Sequence, residues 1–471
     1  MHLNSVPRSA FFTVAVGVGL AMVLLLPAPY QDVLLVAAVA VCAVFAARHF
    51  ETVWLTVLAL LPLIRLSGEL FGLNGVTLSR LVTVTLAVVL AFTLRERAVL
   101  RSLWQTNGLR GFGLFVLVNL VSAIAVFSPA AVLTALGYLE PLFWFAITFG
   151  LVRSGRVTTR DVLRALWLGA VFVALGGLYE WATQQALGKL FDPSLTRMLD
   201  VYMSGYDSNR FGLGGRVSGF IAQPVNASLY WVLLLCIAVY YFRNGTRARW
   251  VQAVWVVTAL FFLLLSGTRA GMLALAAAWL VWVVVGLQNT RQRALALAMS
   301  GAAIAALLLL SPTLANYLRA SFAPDPDAIA SRNVIWRIAV TGGLLELFSN
   351  RWLLGYGPGM IFRLAVAGAL PRVNGRYSLA GLENQYATIL AETGILGGLA
   401  YAWFMFGVAQ DCARMLRDAV LRESGVLLCA LFAAYFVFAA TSWAVTVIPT
   451  LILMAVYGAL AADLANARAA R

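Results

Sequence analysis

Some fourteen apolar stretches follow one another through this chain, and they leave little room for any fold but a bundle of membrane-crossing helices. They lie near 10–27, 32–47, 52–66, 77–94, 111–127, 131–152, 165–182, 222–242, 251–267, 271–287, 294–311, 386–409, 425–443 and 445–463. A crossing helix needs about 20 mostly apolar residues to span a hydrocarbon core of about 30 Å. The short pairs within 32–66 and 425–463 set the expected count at twelve to fourteen. Composition agrees: 62% of residues are hydrophobic and only 11% charged, against about 25% charged in an ordinary soluble domain. A soluble protein could not cover such a chain with polar surface. The expected fold class is an all-α polytopic membrane protein. The first stretch has no clear small-residue cleavage site after it, so it is expected to stay as a span.

The formal net charge is +15. On a soluble domain that balance would point to nucleic acid, but in a membrane protein arginine and lysine placement sets orientation. With the N-terminus in the cytoplasm and the spans alternating, the inner loops collect 20 basic and 7 acidic residues. The remaining 14 basic residues face 12 acidic ones. Most of the charge is then an orientation signal, both termini are cytoplasmic, and no nucleic-acid partner is expected. Of the basic residues, Lys189 is the single lysine. The four cysteines (Cys42, Cys236, Cys412, Cys429) and both histidines (His2, His49) fall in spans or on the inner side. That placement gives neither a disulfide framework nor a cysteine metal site.

Five regions result: helices over 1–182, a long outer loop at 183–221, helices over 222–311, a second long outer loop at 312–385, and helices over 386–471. Loops longer than about 15 residues are usually functional or disordered. Both outer loops are rich in aromatics, apolar residues and glycines, as ordered segments are. The second predicts a helix from Ser331 to Phe348, with Val334, Ile338, Leu345 and Phe348 as its apolar positions. Arg332 and Trp336 share a face there, and such a helix could lie flat on the outer leaflet.

Residues 251–287 are almost unbroken apolar sequence, interrupted at Ser266-Gly-Thr-Arg269-Ala-Gly271. One helix of that length would overshoot the bilayer and bury an arginine, at a cost of roughly 2.5–3.5 kcal/mol. A hairpin of two helices removes both problems and leaves Arg269 at the outer boundary, in a glycine-flanked turn. An arginine there can snorkel to the interface or act as a fixed charge. Arginine offers a rigid fork of donors matched to phosphate oxygens. Arg216, Arg269, Arg332 and Arg337 form the preferred set for a lipid-linked diphosphate, whereas Arg351, Arg363, Arg372 and Arg376 read as surface charge. Glu383 heads the next apolar stretch, where an acid is favoured by the helix dipole. Glu392 follows about two and a half turns deeper and is costly there unless paired. Glu140 is a more isolated case of the same kind.

Four segments in order resemble the O-antigen ligase and O-antigen polymerase family of polytopic glycosyltransferases. Arg216-Val-Ser-Gly-Phe220-Ile-Ala-Gln-Pro224-Val-Asn226 looks like the family's Arg…Gly-Phe…Pro-Asn segment. Ser266-Gly-Thr-Arg269 resembles its Ser-x-x-Arg turn. Arg332-Asn-Val-Ile-Trp336-Arg337, followed by Gly355-Tyr-Gly357-Pro-Gly359, is similar to its Arg-x-x-x-Trp helix and Gly-x-Gly turn. Glu383-Asn384-Gln-Tyr386 and Glu392-Thr-Gly394 resemble its closing His-Asn…Glu-x-Gly motif, with Glu383 where ligases usually carry histidine. That exchange leans towards a polymerase.

The resemblance implies a GT-C-like glycosyltransferase of the inner membrane that needs neither metal nor cofactor. It would move a glycan from undecaprenyl diphosphate to an acceptor, with inversion, at the outer face. The implied catalytic residues are Glu383, Arg269 and Arg332; Arg216, Arg337, Asn384, Trp336 and Glu392 would bind substrate. The implied partners are the lipid-linked donor, a glycan or lipid acceptor, the bilayer and a chain-length regulator. A flippase or transporter is the rival class, but it would place charges near mid-membrane and often show internal repeats. No repeat is evident here.

Overall fold

The structure, a computed structural model, describes residues 6–26, 28–64, 77–93, 97–185, 187, 217–221, 223–244, 249–310, 329–370, 384–442, 444 and 447–470. Within these, side chains are described except at 6–12, 21, 28–29, 92–93, 97–98, 100, 303–310 and 329–337. The N-terminal half contains α1 (Val6–Leu24), α2 (Ala28–Ile64), α3 (Leu78–Thr93), α4 (Arg97–Trp104), α5 (Asn107–Ala125), α6 (Pro129–Gly137), α7 (Leu139–Arg153) and α8 (Thr159–Thr183). After the first long loop come α9 (Pro224–Asn244), α10 (Arg249–Leu265), α11 (Arg269–Val281) and α12 (Thr290–Leu310). The second long loop contains α13 (Ile329–Asn350) and α14 (Met360–Val366), and the chain closes with α15 (Gln385–Arg417), α16 (Arg422–Ala439) and α17 (Ile448–Ala469).

Among the described residues nine helices are long and apolar enough to cross a membrane, and three shorter apolar ones accompany them. The protein is therefore an all-α, multi-pass membrane protein. A helix covers most of each apolar stretch. Two stretches share α2, which breaks at His49 (φ −133°, ψ 50°). Both arms of α2 line one apolar cavity of about 460 Å³, with Leu35 and Phe45 on one arm and Val53 and Ile64 on the other. The kink at His49 thus turns the two arms of one helical run towards a common cavity.

Local sequence sets many of the boundaries. Thr158 and Asp161 make a reciprocal capping box at the start of α8; such a box satisfies two of the orphan N–H groups of a first turn. Ser128 caps α6, with Pro129 in its first turn, where a missing N–H costs nothing. Small residues then allow close crossings. A Cβ on Gly111 of α5 would lie 2.5 Å from the Phe404 backbone of α15, and one on Gly458 of α17 would lie 2.5 Å from the Phe145 carbonyl oxygen of α7.

The bundle has two chemically different ends. At one, the arginine end, Arg156 pairs with Glu51 at 3.5 Å, Arg243 with Glu423 at 3.0 Å and Arg414 with Asp411 at 3.2 Å. The other, the loop end, carries residues 183–185, 187, 217–221, 223–224, 265–269, 352–361 and 384–394. The apolar face of α13 differs from the sequence expectation. Its buried residues are Val340, Leu344 and Leu347, packed with Ala387 and Ala391 of α15. Ile338 and Leu345 are exposed. The helix has apolar residues on more than one side, and the partner helix selects which side is covered.

Candidate active site

The first part of the site is built on a glycine notch near the end of α8. A Cβ on Gly176 would lie 2.8 Å from the Phe220 ring, and one on Gly177 would lie 2.6 Å from the Phe262 ring. The chain returning from the first long loop lies in this notch. One turn further on, Glu180 is fully buried. Its Oε1 accepts from the Leu187 amide at 2.8 Å, and its Oε2 accepts from the Ser218 and Gly219 amides, both at 2.7 Å. A buried carboxylate is tolerated when charge-assisted hydrogen bonds replace its water. Glu180 therefore fastens both feet of the loop with one side chain. Sequence reasoning missed it, because its partners stand up to 39 residues away.

The fastened segment braces the Arg269 turn. The Val217 amide donates to the Leu265 carbonyl at 3.1 Å, at the last residue of α10. The turn then runs through Gly267 (φ 58°). Ser266 Oγ donates to the Leu263 carbonyl at 2.6 Å, and Thr268 Oγ1 donates to the Ser266 carbonyl at 3.0 Å and the Pro224 carbonyl at 3.4 Å. Gly271 packs so closely on Ser228 that a Cβ there would lie 2.5 Å away. Arg269 opens α11, half-buried between buried Thr268 and Ala270. A cation at a helix N-terminus is disfavoured by the dipole, whereas an anion there gains from both the guanidinium and the terminal N–H groups.

Glu180→Gln replaces an accepting oxygen with a donor and leaves at least one loop amide unpaired, a loss of about 1–3 kcal/mol. The expected result is faster hydrogen exchange at the Ser218 and Gly219 amides, by roughly tenfold or more. Unchanged protection, read by mass spectrometry on the detergent-solubilised protein, would show that the carboxylate does not lock the loop.

The second part of the site is a break in α15. Gly394 has φ 66° and ψ −165° inside the helix. The gap is filled by the turn after α13, where Gly355 and Gly357 have φ 68° and 93°. Tyr356 N donates to the Ala391 carbonyl at 3.0 Å, Gly357 N to the Glu392 carbonyl at 2.8 Å, and Ile395 N to the Trp352 carbonyl at 2.7 Å. Ser122 Oγ of α5 donates to the Leu354 carbonyl at 2.6 Å and the Glu392 carbonyl at 3.1 Å. The Glu392 side chain is buried. Its carboxylate meets the Gly359 and Ile361 amides at the start of α14, while Oε1 finds no partner among the described residues. Arg351 stacks on the Tyr356 ring, 4.8 Å from its centroid.

The head of α15 is fixed just as firmly. Asn384 caps it, accepting from Tyr386 N at 3.0 Å and Ala387 N at 3.2 Å. Gln385, fully buried, donates to Tyr401 Oη at 2.6 Å and accepts from Ala444 N at 2.9 Å. Tyr386 Oη donates to the Phe436 carbonyl of α16 at 2.8 Å. α11 and the π-helical turn that follows it (Trp282–Gly286) lie along the same helix: a Cβ on Gly286, near the arginine end, would lie 3.2 Å from Val426. Arg269 lies at the opposite end of this packed stretch, towards the loop end.

Arg332, Trp336 and Arg337 lie on the first half of α13, and their side chains are outside the described set. Arg216 and Glu383 lie outside the described residues, each next to one that is firmly placed, Val217 and Asn384. Glu140 is buried in the first turn of α7.

The described ends of the first long loop and the 352–357 turn are thus tied into the helices at the loop end of the bundle. Residues 254–402 match the family described as O-antigen ligase. No curated protein matches the chain. The matched stretch takes in the Arg269 turn, α13, the 352–357 turn and the first half of α15 with its break at Gly394. It excludes the segment at 216–226, yet that segment is hydrogen-bonded to the Arg269 turn through Val217.

Proposed function

We propose that this protein is a surface-polysaccharide polymerase, acting on an undecaprenyl-diphosphate-linked oligosaccharide at the outer face of the cytoplasmic membrane. The carrying observation is Arg269 at the start of α11, in a turn braced at Leu265, Thr268 and Gly271. The asymmetry of the two bundle ends supports the orientation, since the arginine end is the cytoplasmic one under the positive-inside rule.

The leaving group is a lipid diphosphate, a multiply charged anion, so fixed cations matter more than a protein nucleophile. Arg269 binds it together with Arg332 and Arg337, and Arg216 binds diphosphate or sugar. Trp336, Asn384 and Glu392 complete the substrate-binding set in this scheme, Asn384 at the cap next to Glu383 and Glu392 in the break of α15. Glu383 takes the proton of the acceptor hydroxyl as general base. The hydroxyl oxygen bonds to the anomeric carbon as the bond to the diphosphate oxygen breaks, and the carbon inverts. The arginines neutralise the leaving group, so no metal is required.

The test is turnover of a synthetic lipid-linked oligosaccharide by the purified protein in nanodiscs, with excess chelator. A ladder of products is expected. One transfer to a core-type lipid acceptor without a ladder would make it a ligase, and movement of donor across the bilayer without product would make it a flippase. Glu383→Gln is expected to lower turnover by about 10²-fold or more while donor binding persists. Full turnover in that variant would remove Glu383 from the base role.

A further inference from the structure

A second polar cleft lies at the arginine end, far from the Arg269 turn. It has a volume of about 250 Å³ and lies between α4, α5, α7, α15 and α17, with room for roughly eight water molecules. Two guanidinium groups line it, Arg153 at the end of α7 and Arg468 at the end of α17. Arg153 is held in the wall by a hydrogen bond to the Asn466 side-chain oxygen. Arg468 is exposed at the mouth. Thr106, the N-cap of the 19-residue helix α5, also lines the cleft and is nine-tenths buried, 8% exposed. Its hydroxyl does not cap the helix and has no partner among the described residues. The positive end of α5 thus borders a cleft that already contains two arginines and an unused hydroxyl.

One carboxylate, Asp411, is part of the wall, but it is already fully engaged. Oδ2 accepts from Tyr457 Oη at 2.6 Å and Gly108 N at 3.2 Å, and Oδ1 accepts from Arg414 at 3.2 Å. Its charge is offset chiefly by Arg414 from outside the cleft, with a smaller contribution from Arg468. Beside Arg468, the same face of α17 contributes the apolar residues Ala461, Leu464 and Ala465. Charge and hydroxyl bordered by hydrocarbon is the chemistry of a phosphate ester attached to a lipid.

We propose that this cleft binds the phosphate ester of an anionic ligand, and its apolar wall favours a phospholipid headgroup of the adjoining leaflet over a soluble phosphate. Basic pockets between membrane helices hold such headgroups by charge-assisted hydrogen bonds. The inference is independent of glycan transfer, and its test reads binding alone.

The full-length protein is stripped of lipid in detergent and given phosphatidylglycerol or phosphatidylcholine, with retention read by native mass spectrometry. In parallel, inorganic phosphate is added and the thermal midpoint followed. The wild type is expected to retain phosphatidylglycerol in preference to phosphatidylcholine. The Arg153→Ala/Arg468→Ala variant is expected to lose that preference by about tenfold. Arg468→Ala and Thr106→Val, each read singly, serve the same purpose should the double variant not fold. Arginine-dependent stabilisation by inorganic phosphate, without lipid preference, would assign the site to a soluble phosphate. Equal lipid retention in wild type and variants, with no effect of phosphate, would overturn the proposal.

Discussion

Gly394→Ala is expected to cost several kcal/mol and to take the folded protein with it. The residue sits at φ 66°, ψ −165° within α15, a region that only glycine occupies readily; for other residues such strain costs about 1–3 kcal/mol. Space is lacking as well, since a Cβ there would lie 2.2 Å from the Leu353 carbonyl oxygen. Relief means moving the 352–357 turn away, which breaks the bonds from Tyr356, Gly357 and Ile395. Each buried backbone group left unpaired adds about 1–3 kcal/mol. The proper control is Gly342→Ala on the neighbouring helix α13, where a Cβ meets nothing within 4 Å and alanine is the better helix former by about 1 kcal/mol. The measurement is the yield of monodisperse protein in detergent, with its thermal midpoint. Gly342→Ala should equal or exceed the wild type, and Gly394→Ala should be recovered poorly or melt far lower. Equal behaviour of the two variants would mean that the break in α15 does not hold the second loop.

That break shows where sequence reasoning stops. Bilayer thickness imposes a length on every span, so the apolar stretches were readable one by one. The Arg269 turn was readable for the same reason: an arginine in the middle of 37 apolar positions forces a choice between one costly helix and two short ones. Glu392-Thr-Gly394 was visible as a motif, but nothing in it says that the helix opens there. The opening is completed by the Leu353 carbonyl and the Trp352–Gly357 backbone, some forty residues earlier. Glu180 was invisible for a related reason. An acid near a helix end reads as surface, and only the fold brings the amides of 187, 218 and 219 to it. For α13 the helix was legible and its buried face was not, because Ala387 and Ala391 of α15 decide which side is covered. At the head of α15 the cap is Asn384, one residue after the acid that the sequence singled out.

The largest expected effect on turnover itself is at Arg269. Arg269→Lys keeps the charge but replaces a rigid fork of five donors with a single ammonium on a flexible stem. The turn has no slack to compensate: Ser266, Thr268 and Ala270 are buried, and the segment from Val217 to Ser228 packs against it at Leu265, Thr268 and Gly271. Under the proposed role, a lysine there could not shift its backbone to recover a second hydrogen bond to the diphosphate. Removing one fixed donor from a developing anion costs roughly 10²–10³ in kcat in other enzymes. Arg269→Lys is therefore expected to lower kcat by about 10²-fold, with a smaller change in KM, because the diphosphate gains charge as it leaves and needs the donors most in the transition state. The kinetics would be read on the lipid-linked oligosaccharide assay, and the thermal midpoint of the variant should stay near that of the wild type. A rise in KM at unchanged kcat would mean that Arg269 holds the donor in the ground state only. Unchanged kcat and KM would show that a point charge suffices, and the role given to the braced turn would fall with the bidentate contact.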